Sequence, residues 1–221
     1  MRWRAIPGVK EKIKHFYGAG IIDDFTADKL TIFPSEKPLW LEVGTGRGRF
    51  ISSLAVLYPQ ISFLGVERTA GVIYRAVEMA RQNKIDNLWF VNRDVTDIFE
   101  WLGPHSVEKI FLNFSDPWPK NRHSKKRLTH PKKLERYQQL LVSGGKIVMK
   151  TDNEDLFSWS LEQFAEQNMK LQSVSYDWHS DPERPDTVDV MTEYEERFSF
   201  LGKKILRVVA EFASVNCENM A

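Results

Sequence analysis

Side chains that could bind a ligand or take part in a reaction are concentrated in the segment 116–127. The segment opens with a carboxylate and an indole, Asp116 and Trp118, and continues into a cationic run. Pro117 and Pro119 oppose a helix here and favour a stiff turn. An enzyme that acts on a nucleobase must extrude it, then hold it by stacking and by its polar edge. An indole and an acceptor on one turn fit that task, although a D-P-W-P turn alone is also typical of local packing by Trp118 and turn formation by Asp116.

Charged residues are distributed unevenly along the sequence that follows this turn. Residues 120–136 contain eight Lys or Arg and one acidic residue, whereas residues 177–196 contain eight acidic residues and one Arg, so the net charge of only +1 conceals both runs. A basic run of this density predicts a phosphate-binding surface, with a solvated loop as the alternative. His123 and His130 are interpreted as surface or phosphate-contacting residues. Neither has metal-ligand spacing, so no metal is predicted.

Three further acidic residues stand at the ends of short apolar runs. Glu42 opens the pattern E-x-G-x-G-x-G, which ends at Gly48. A dinucleotide fingerprint would need its third glycine where Arg49 stands, so that interpretation fails. Glu67 ends the next apolar run, where an acidic side chain can accept ribose hydroxyls. Asp94 ends the third run and is expected to reach an adenine, although each carboxylate alone is equally compatible with a capping role.

Apolar and amphipathic runs alternate along the chain, which predicts βαβ units, a mostly parallel sheet and helices on both faces. Ligands of such sheets bind beyond the carboxyl ends of the strands. A hairpin around Gly202, joining strands 197–201 and 204–210, is expected to add an antiparallel edge. The predicted strands are 39–43, 61–66, 88–91, 109–114, 146–150 and 171–176, and the predicted helices are 47–57, 70–83, 96–101, 131–141 and 154–167.

Composition bounds the class of protein. Hydrophobic residues make up 42% and charged residues 28%, and no apolar run approaches the roughly 20 residues of a membrane span. The basic N-terminus lacks the apolar core of a secretory signal. Cys217 is the single cysteine, which favours a reducing cytosol. We expect an N-terminal extension over 1–38 and one domain over 39–221; a monomer and a homodimer are both compatible with the sequence.

The run D-P-W-P-K-x-R-H-x-K-x-R resembles the signature of the bacterial tRNA (guanine-N7)-methyltransferase family. Thr151-Asp152 and the stretch 192–195 resemble later motifs of that family in the expected order, so the resemblance covers about residues 42–198. It implies a single Rossmann-like class I methyltransferase domain with a seven-stranded, mostly parallel sheet. It also implies S-adenosylmethionine (SAM) as cofactor and methylation of guanine N7 in tRNA, at position 46 of the variable loop.

The resemblance implies three sets of site residues. The cofactor set is Glu42, Gly44, Gly46, Gly48, Glu67, Asp94 and Asp116. The substrate set is Lys120, Asp152, Thr192, Glu193, Tyr194 and Glu195. The RNA-contacting set is Arg122, His123, Ser124, Lys125, Lys126 and Arg127.

The expected chemistry agrees with these residue types. Guanine N7 carries a lone pair and no proton, so methyl transfer needs alignment more than a general base. We hypothesise that Asp116, as the catalytic residue, forms an acidic cradle for the base with Asp152 and with Glu193 or Glu195. Three alternatives stay open: a class I methyltransferase with another substrate, a nicotinamide-dependent oxidoreductase and a non-catalytic RNA-binding protein.

Overall fold

The computed structural model describes residues 6–22, 32–34, 36–182 and 190–213, and their strands form one sheet. The strands are β1 (Ile21–Ile22), β2 (Leu39–Val43), β3 (Ser62–Val66), β4 (Leu88–Val91), β5 (Val107–Asn113), β6 (Leu141–Thr151), β7 (Met169–Ser175) and β8 (Leu206–Phe212). Their order in the sheet is β1-β4-β3-β2-β5-β6-β8-β7. All neighbouring pairs from β1 to β6 are parallel, and β8 is antiparallel to both of its neighbours.

Helices cover both faces of the sheet, because alternate residues of the central strands are apolar on both sides. The helices are α1 (Val9–Lys14), α2 (Arg49–Leu57), α3 (Ala70–Gln82), α4 (Phe99–Leu102), α5 (Pro131–Leu140), α6 (Glu154–Glu166) and α7 (Glu193–Phe200). In β2, Leu41 packs into one core with α4, α5 and α6, whereas Trp40 packs into the other with α1, α2 and α3. These helices bury apolar stripes against the sheet.

The predicted architecture, a mostly parallel sheet with late antiparallel pairing, is confirmed. The expected strands at 39–43 and 88–91 have the predicted bounds. The described residues contain eight strands where seven were expected, because Ile21–Ile22, within the segment read as an extension, pairs with β4. Cys217 and the acidic stretch 183–189 lie outside the described residues.

The predicted hairpin around Gly202 is wrong in its first strand. Residues 193–200 form α7, and only β8 is a strand. The cause is a capping box: the Glu195 amide donates to Thr192 Oγ1 at 2.9 Å, and the Thr192 amide donates to Glu195 Oε2 at 3.4 Å. These bonds satisfy amides that a helix start would leave unpaired, and they outweigh the strand-like run of aromatic residues that follows.

The strand order reverses between β2 and β5. From β2 the chain proceeds outward through β3 to β4, then returns to place β5 on the other side of β2. The loops that follow β2 and β5 therefore diverge above the sheet and leave a crevice at the carboxyl ends of the strands. The predicted site residues on these loops are brought together there.

Candidate active site

The glycine-rich turn after β2 forms the floor of the crevice. Gly44, Gly46 and Gly48 have φ angles of 78°, 57° and 74°, a region that residues with a Cβ rarely occupy. The Gly44 and Thr45 amides donate to the Val66 carbonyl at 2.8 and 3.0 Å and fix the turn against β3. At Gly48 a Cβ would lie 2.8 Å from the Ala76 Cβ, so α3 packs directly on the turn. The turn thus exposes backbone at Gly44 and packs closely at Gly48.

Glu42 lies beneath this turn. Its side chain is buried, Thr45 Oγ1 donates to Oε2 at 2.6 Å, and Asn113 Nδ2 donates to Oε1 at 2.9 Å. Burial raises the pKa of Glu42 to about 7, although both hydrogen bonds oppose that shift. Glu42 therefore joins the glycine turn to the end of β5 and can exchange a proton near neutral pH. Sequence reasoning missed Asn113, whose only signal was a polar residue at a strand end.

Glu67 and Asp94 follow β3 and β4 and both line the crevice. Each carboxylate is oriented locally: Glu67 Oε1 accepts from the Thr69 amide at 2.8 Å, and Asp94 Oδ1 accepts from the Thr96 amide at 3.1 Å. These bonds cap the turns that follow the strands. In both residues these bonds engage only one carboxylate oxygen, so the capping role does not conflict with the predicted ligand role.

The D-P-W-P turn forms the opposite wall. Trp118 has a φ of 42°, which is rare for an aromatic residue and marks a constrained backbone. Arg127 holds this backbone, because its Nε and Nη2 donate to the carbonyls of Pro117 and Trp118, both at 3.1 Å. The Trp118 ring lies under Lys126 Nζ, which is 4.4 Å from the ring centroid. Asp116 is exposed and pairs with Arg68 at 3.6 Å.

Arg127 is placed differently from its prediction. It was expected to contact RNA with the residues before it, but it is only 8% exposed and its guanidinium stacks over Trp159 at 4.4 Å. The buried guanidinium donates to two backbone carbonyls and so holds the turn. The remaining RNA-contacting candidates lie on the 3₁₀ turn Asn121–Lys126, and none of them is buried.

The walls and floor enclose a cleft of about 250 Å³. Predicted cofactor residues Gly44, Glu67, Asp94 and Asp116 line it together with Trp118. Lys126 lines it as well, together with three cations that sequence reasoning missed: Arg68, Arg93 and Lys133. The signal for Arg68 was its position directly after Glu67. The cleft therefore combines carboxylates from three loops, one indole and four cations.

The predicted substrate residues divide between the surface and the interior. Asp152 accepts from Lys203 Nζ at 2.9 Å, and Glu193 pairs with Arg47 at 3.4 Å. The Tyr194 ring stacks on Phe198 with centroids 4.1 Å apart. The pKa of Tyr194 is raised, first by burial and then by the charge of Asp152. Lys120 is exposed and is not among the residues that line the cleft.

Glu195 has a structural role in this fold. It is 0% exposed, and Lys150 Nζ donates to its two oxygens at 2.9 and 3.3 Å. His179 Nε2 lies 3.2 Å from the same carboxylate. With Thr192 at the start of α7, this pair ties the helix to β6 and so positions Glu193 and Tyr194. Lys150 was missed, because a lysine within an apolar strand resembles a solvated edge residue in the sequence.

Metal and membrane features were searched in the described ranges. No group of three His, Cys, Asp or Glu residues within them is arranged to hold a metal ion. None of the helices in the same ranges has the length and apolar character needed to cross a membrane.

The fold and the cleft define a class of protein. A solved structure of an antibiotic-related methyltransferase superposes with a TM-score of 0.65 at 16% identity and covers 86% of this chain and 96% of its own. A 16S rRNA (adenine(1408)-N(1))-methyltransferase from Catenulisporales acidiphilia, solved with its cosubstrate SAM, superposes with a TM-score of 0.57 at 14% identity, covering 83% and 89% of the two chains. The chain has a class I methyltransferase fold.

Sequence comparison gives the family. The family described as "Putative methyltransferase" matches residues 36–208. The tRNA (guanine-N(7)-)-methyltransferase of Brevibacillus brevis is 42% identical over 213 residues, which are 95% of this chain and 98% of that protein. The chain belongs to the tRNA (guanine-N(7)-)-methyltransferase family, as its motifs predicted.

Proposed function

We propose that this chain transfers the methyl group of SAM to N7 of a guanine in tRNA. The observation that carries the proposal is the cleft itself, where two strand-end loops with the carboxylates Glu67 and Asp94 face a stiff turn that bears Asp116 and Trp118. Family membership supports the same reaction, and by family resemblance the target is position 46 of the variable loop. The single cysteine supports the cytosol as its compartment.

The donor side of the cleft fits a nucleoside with an amino-acid tail. Around Gly44 a Cβ would meet nothing within 4 Å, so the backbone there is open to a ligand. Glu67 and Asp94, at the ends of neighbouring strands, would hold the ribose and the adenine, and Glu42 would orient the turn that faces the tail. When bound, SAM supplies the electrophilic methyl group.

The substrate side would hold the guanine. Trp118 offers a face for stacking, and Asp116 offers carboxylate oxygens to the N1 and amino protons of the base. Asp116 is 71% exposed and its ion pair with Arg68 is long at 3.6 Å, so little free energy opposes a new partner. Methylation leaves the base cationic, and a carboxylate that faces it would stabilise the developing charge. Since N7 carries no proton, alignment of base and donor is the main requirement.

The other proposed members of the acidic cradle are less accessible to the base than Asp116, because they are paired with cations or buried. Asp152 and Glu193 are held by Lys203 and Arg47 on the surface, so they would have to exchange these partners for the base. Glu195 is fully buried and supports the site indirectly through Lys150. Asp116 is therefore the residue on which the cradle depends most.

The reaction is tested by mapping the methylated nucleotide after incubation of the protein with unmodified tRNA and SAM. Cleavage at N7-methylguanine should report one position in the variable loop. Methylation of another atom or of no nucleotide would contradict the proposal. Titration of the protein with S-adenosylhomocysteine in a calorimeter separately tests the donor side, because a non-catalytic RNA-binding protein would bind no nucleoside.

Substitution of Asp116 tests the substrate side. We expect Asp116→Asn to lower kcat/KM for tRNA by about 100-fold, because the neutral amide stabilises the cationic product poorly. Asp86→Asn, an exposed aspartate away from the cleft, is the matched control and should leave kcat/KM unchanged. A rate for Asp116→Asn within a few-fold of wild type would exclude Asp116 from the cradle.

A further inference from the structure

A second concave surface lies beside the cleft, at the start of α5. It has a volume of about 330 Å³. We call it the α5 groove. Its lining comprises seven residues, of which four are Lys or Arg and none is acidic: Thr96, Phe99, Lys125, His130, Lys132, Lys133 and Arg136.

The positive charges of the α5 groove are poorly compensated. Within the described residues, neither Lys125 nor Lys132 forms an ion pair with a carboxylate. Arg136 pairs with Glu100 at 3.9 Å, but Glu100 is 94% exposed, and a pair of this kind contributes about 0–1 kcal/mol. In the unbound protein, repulsion among these like-charged side chains is destabilising. An anion bound in the α5 groove would relieve that repulsion.

The pKa of His130 agrees with a positive potential in the α5 groove. The pKa of His130 is lowered, first by burial and then by the charges of Lys133, Lys125 and Lys132. The pKa of Lys133 is lowered mainly by burial, although the charge of Asp94 opposes the shift. The His130 imidazole also caps α5, since its Nδ1 accepts from the Lys132 amide at 3.3 Å. The positive end of the α5 dipole therefore points toward the same groove.

We propose that the α5 groove binds phosphate groups of the tRNA chain outside the target nucleotide. Lysines provide point charges and Arg136 a planar fork, which together suit consecutive phosphates. Lys133 lines both the groove and the cleft, and its Nζ donates to the Lys126 carbonyl at 3.2 Å, so the two sites share a wall. The inference rests on the proposed function for the identity of the RNA. It extends the RNA surface from the 3₁₀ turn onto α5.

The test is the salt dependence of tRNA binding. Each phosphate contact contributes about 0.7–0.9 to the slope of log affinity against log salt concentration, so the double variant Lys132→Ala, Arg136→Gln should lose about 1.4–1.8 of that slope. Glutamine keeps the first methylene groups of Arg136 and removes the guanidinium, whose Cζ lies 5.3 Å from the Phe99 ring centroid. Lys132→Ala alone should lose about half as much and serves if the double variant does not fold.

The matched control removes two charges elsewhere. Lys10→Ala, Lys12→Ala changes two exposed lysines of α1, which packs on the opposite face of the sheet, and should keep the wild-type slope. Equal slopes for the α5 and α1 variants would overturn the inference. Affinity for S-adenosylhomocysteine should be unchanged in all variants. The wild type can bind S-adenosylhomocysteine and methylate tRNA while the α5 and α1 variants show equal salt-dependence slopes. That result would support the proposed function and overturn the inference about the α5 groove. If wild type does neither, the proposed function fails, while the slopes still report on the groove.

Discussion

The donor side of the cleft and the predicted substrate residues are held in different ways. On the donor side the contacts that orient Glu67 and Asp94 are local, because each carboxylate accepts from the amide two residues later, although Asn113 reaches Glu42 across 71 residues. Among the predicted substrate residues the contacts span the chain, since Lys150 reaches Glu195 across 45 residues and Arg47 reaches Glu193 across 146. Short-range contacts can be inferred from spacing in the sequence, whereas long-range ones need the fold. The donor side was therefore the more predictable of the two.

The largest effect is expected on the substrate side, from Lys150→Met. This change leaves the Glu195 carboxylate buried beside His179 without its lysine, and removing one partner of a buried pair costs about 3–5 kcal/mol. The free energy of unfolding in urea measures the cost. Methylation should fall as well, because α7 no longer holds Glu193 and Tyr194 in place.

The double variant Lys150→Met, Glu195→Gln is the control for this prediction. It removes both charges together and should recover part of the lost stability, because no uncompensated ion stays buried. A single variant as stable as wild type would show that the pair does not hold α7, and the contrast between the two sides would lose its main support.

The difference also explains which predictions succeeded. The strand at 39–43 was found because its apolar run, the glycine turn and the carboxylate follow one another directly. The helix at 193–200 was missed because its capping box was interpreted as a substrate motif and its aromatic residues as a strand. The burial of Arg127 depends on packing against Trp159 and on a turn ten residues away, which no local pattern encodes. The role of each charge in the basic run could not be assigned without the fold.

The second-largest effect is expected on the donor side, where Glu42 should make the free energy of unfolding depend on pH. Folding raises the pKa of Glu42 from an ordinary 4.5 to about 7, so the folded protein binds this proton more tightly than the unfolded chain. The stabilisation is fully present below pH 4.5 and is lost as pH rises through about 7, a total of about 3 kcal/mol. Glu42→Gln should remove this part of the pH dependence of the free energy of unfolding.

The control for Glu42 is Glu162→Gln on the exposed face of α6, which alters the net charge equally. We expect the difference between wild type and Glu42→Gln to change by about 3 kcal/mol from acid to neutral pH, and the difference for Glu162→Gln to stay constant. A constant difference for Glu42→Gln as well would mean that Glu42 has the same pKa in the folded and the unfolded chain, because its two hydrogen bonds cancel the effect of burial.

The smallest effect separates two glycines of the same turn. Gly48→Ala combines a positive φ of 74° with a Cβ 2.8 Å from the Ala76 Cβ, so strain and overpacking together should cost about 2–4 kcal/mol. Gly46→Ala has a φ of 57° but meets nothing within 4 Å, and should cost only about 1–2 kcal/mol. Unfolding in urea without ligand measures both. Equal costs would mean that backbone conformation alone requires these glycines. A larger cost at Gly48 would mean that the donor side also depends on its contact with α3, a further long-range contact beside the Asn113–Glu42 hydrogen bond.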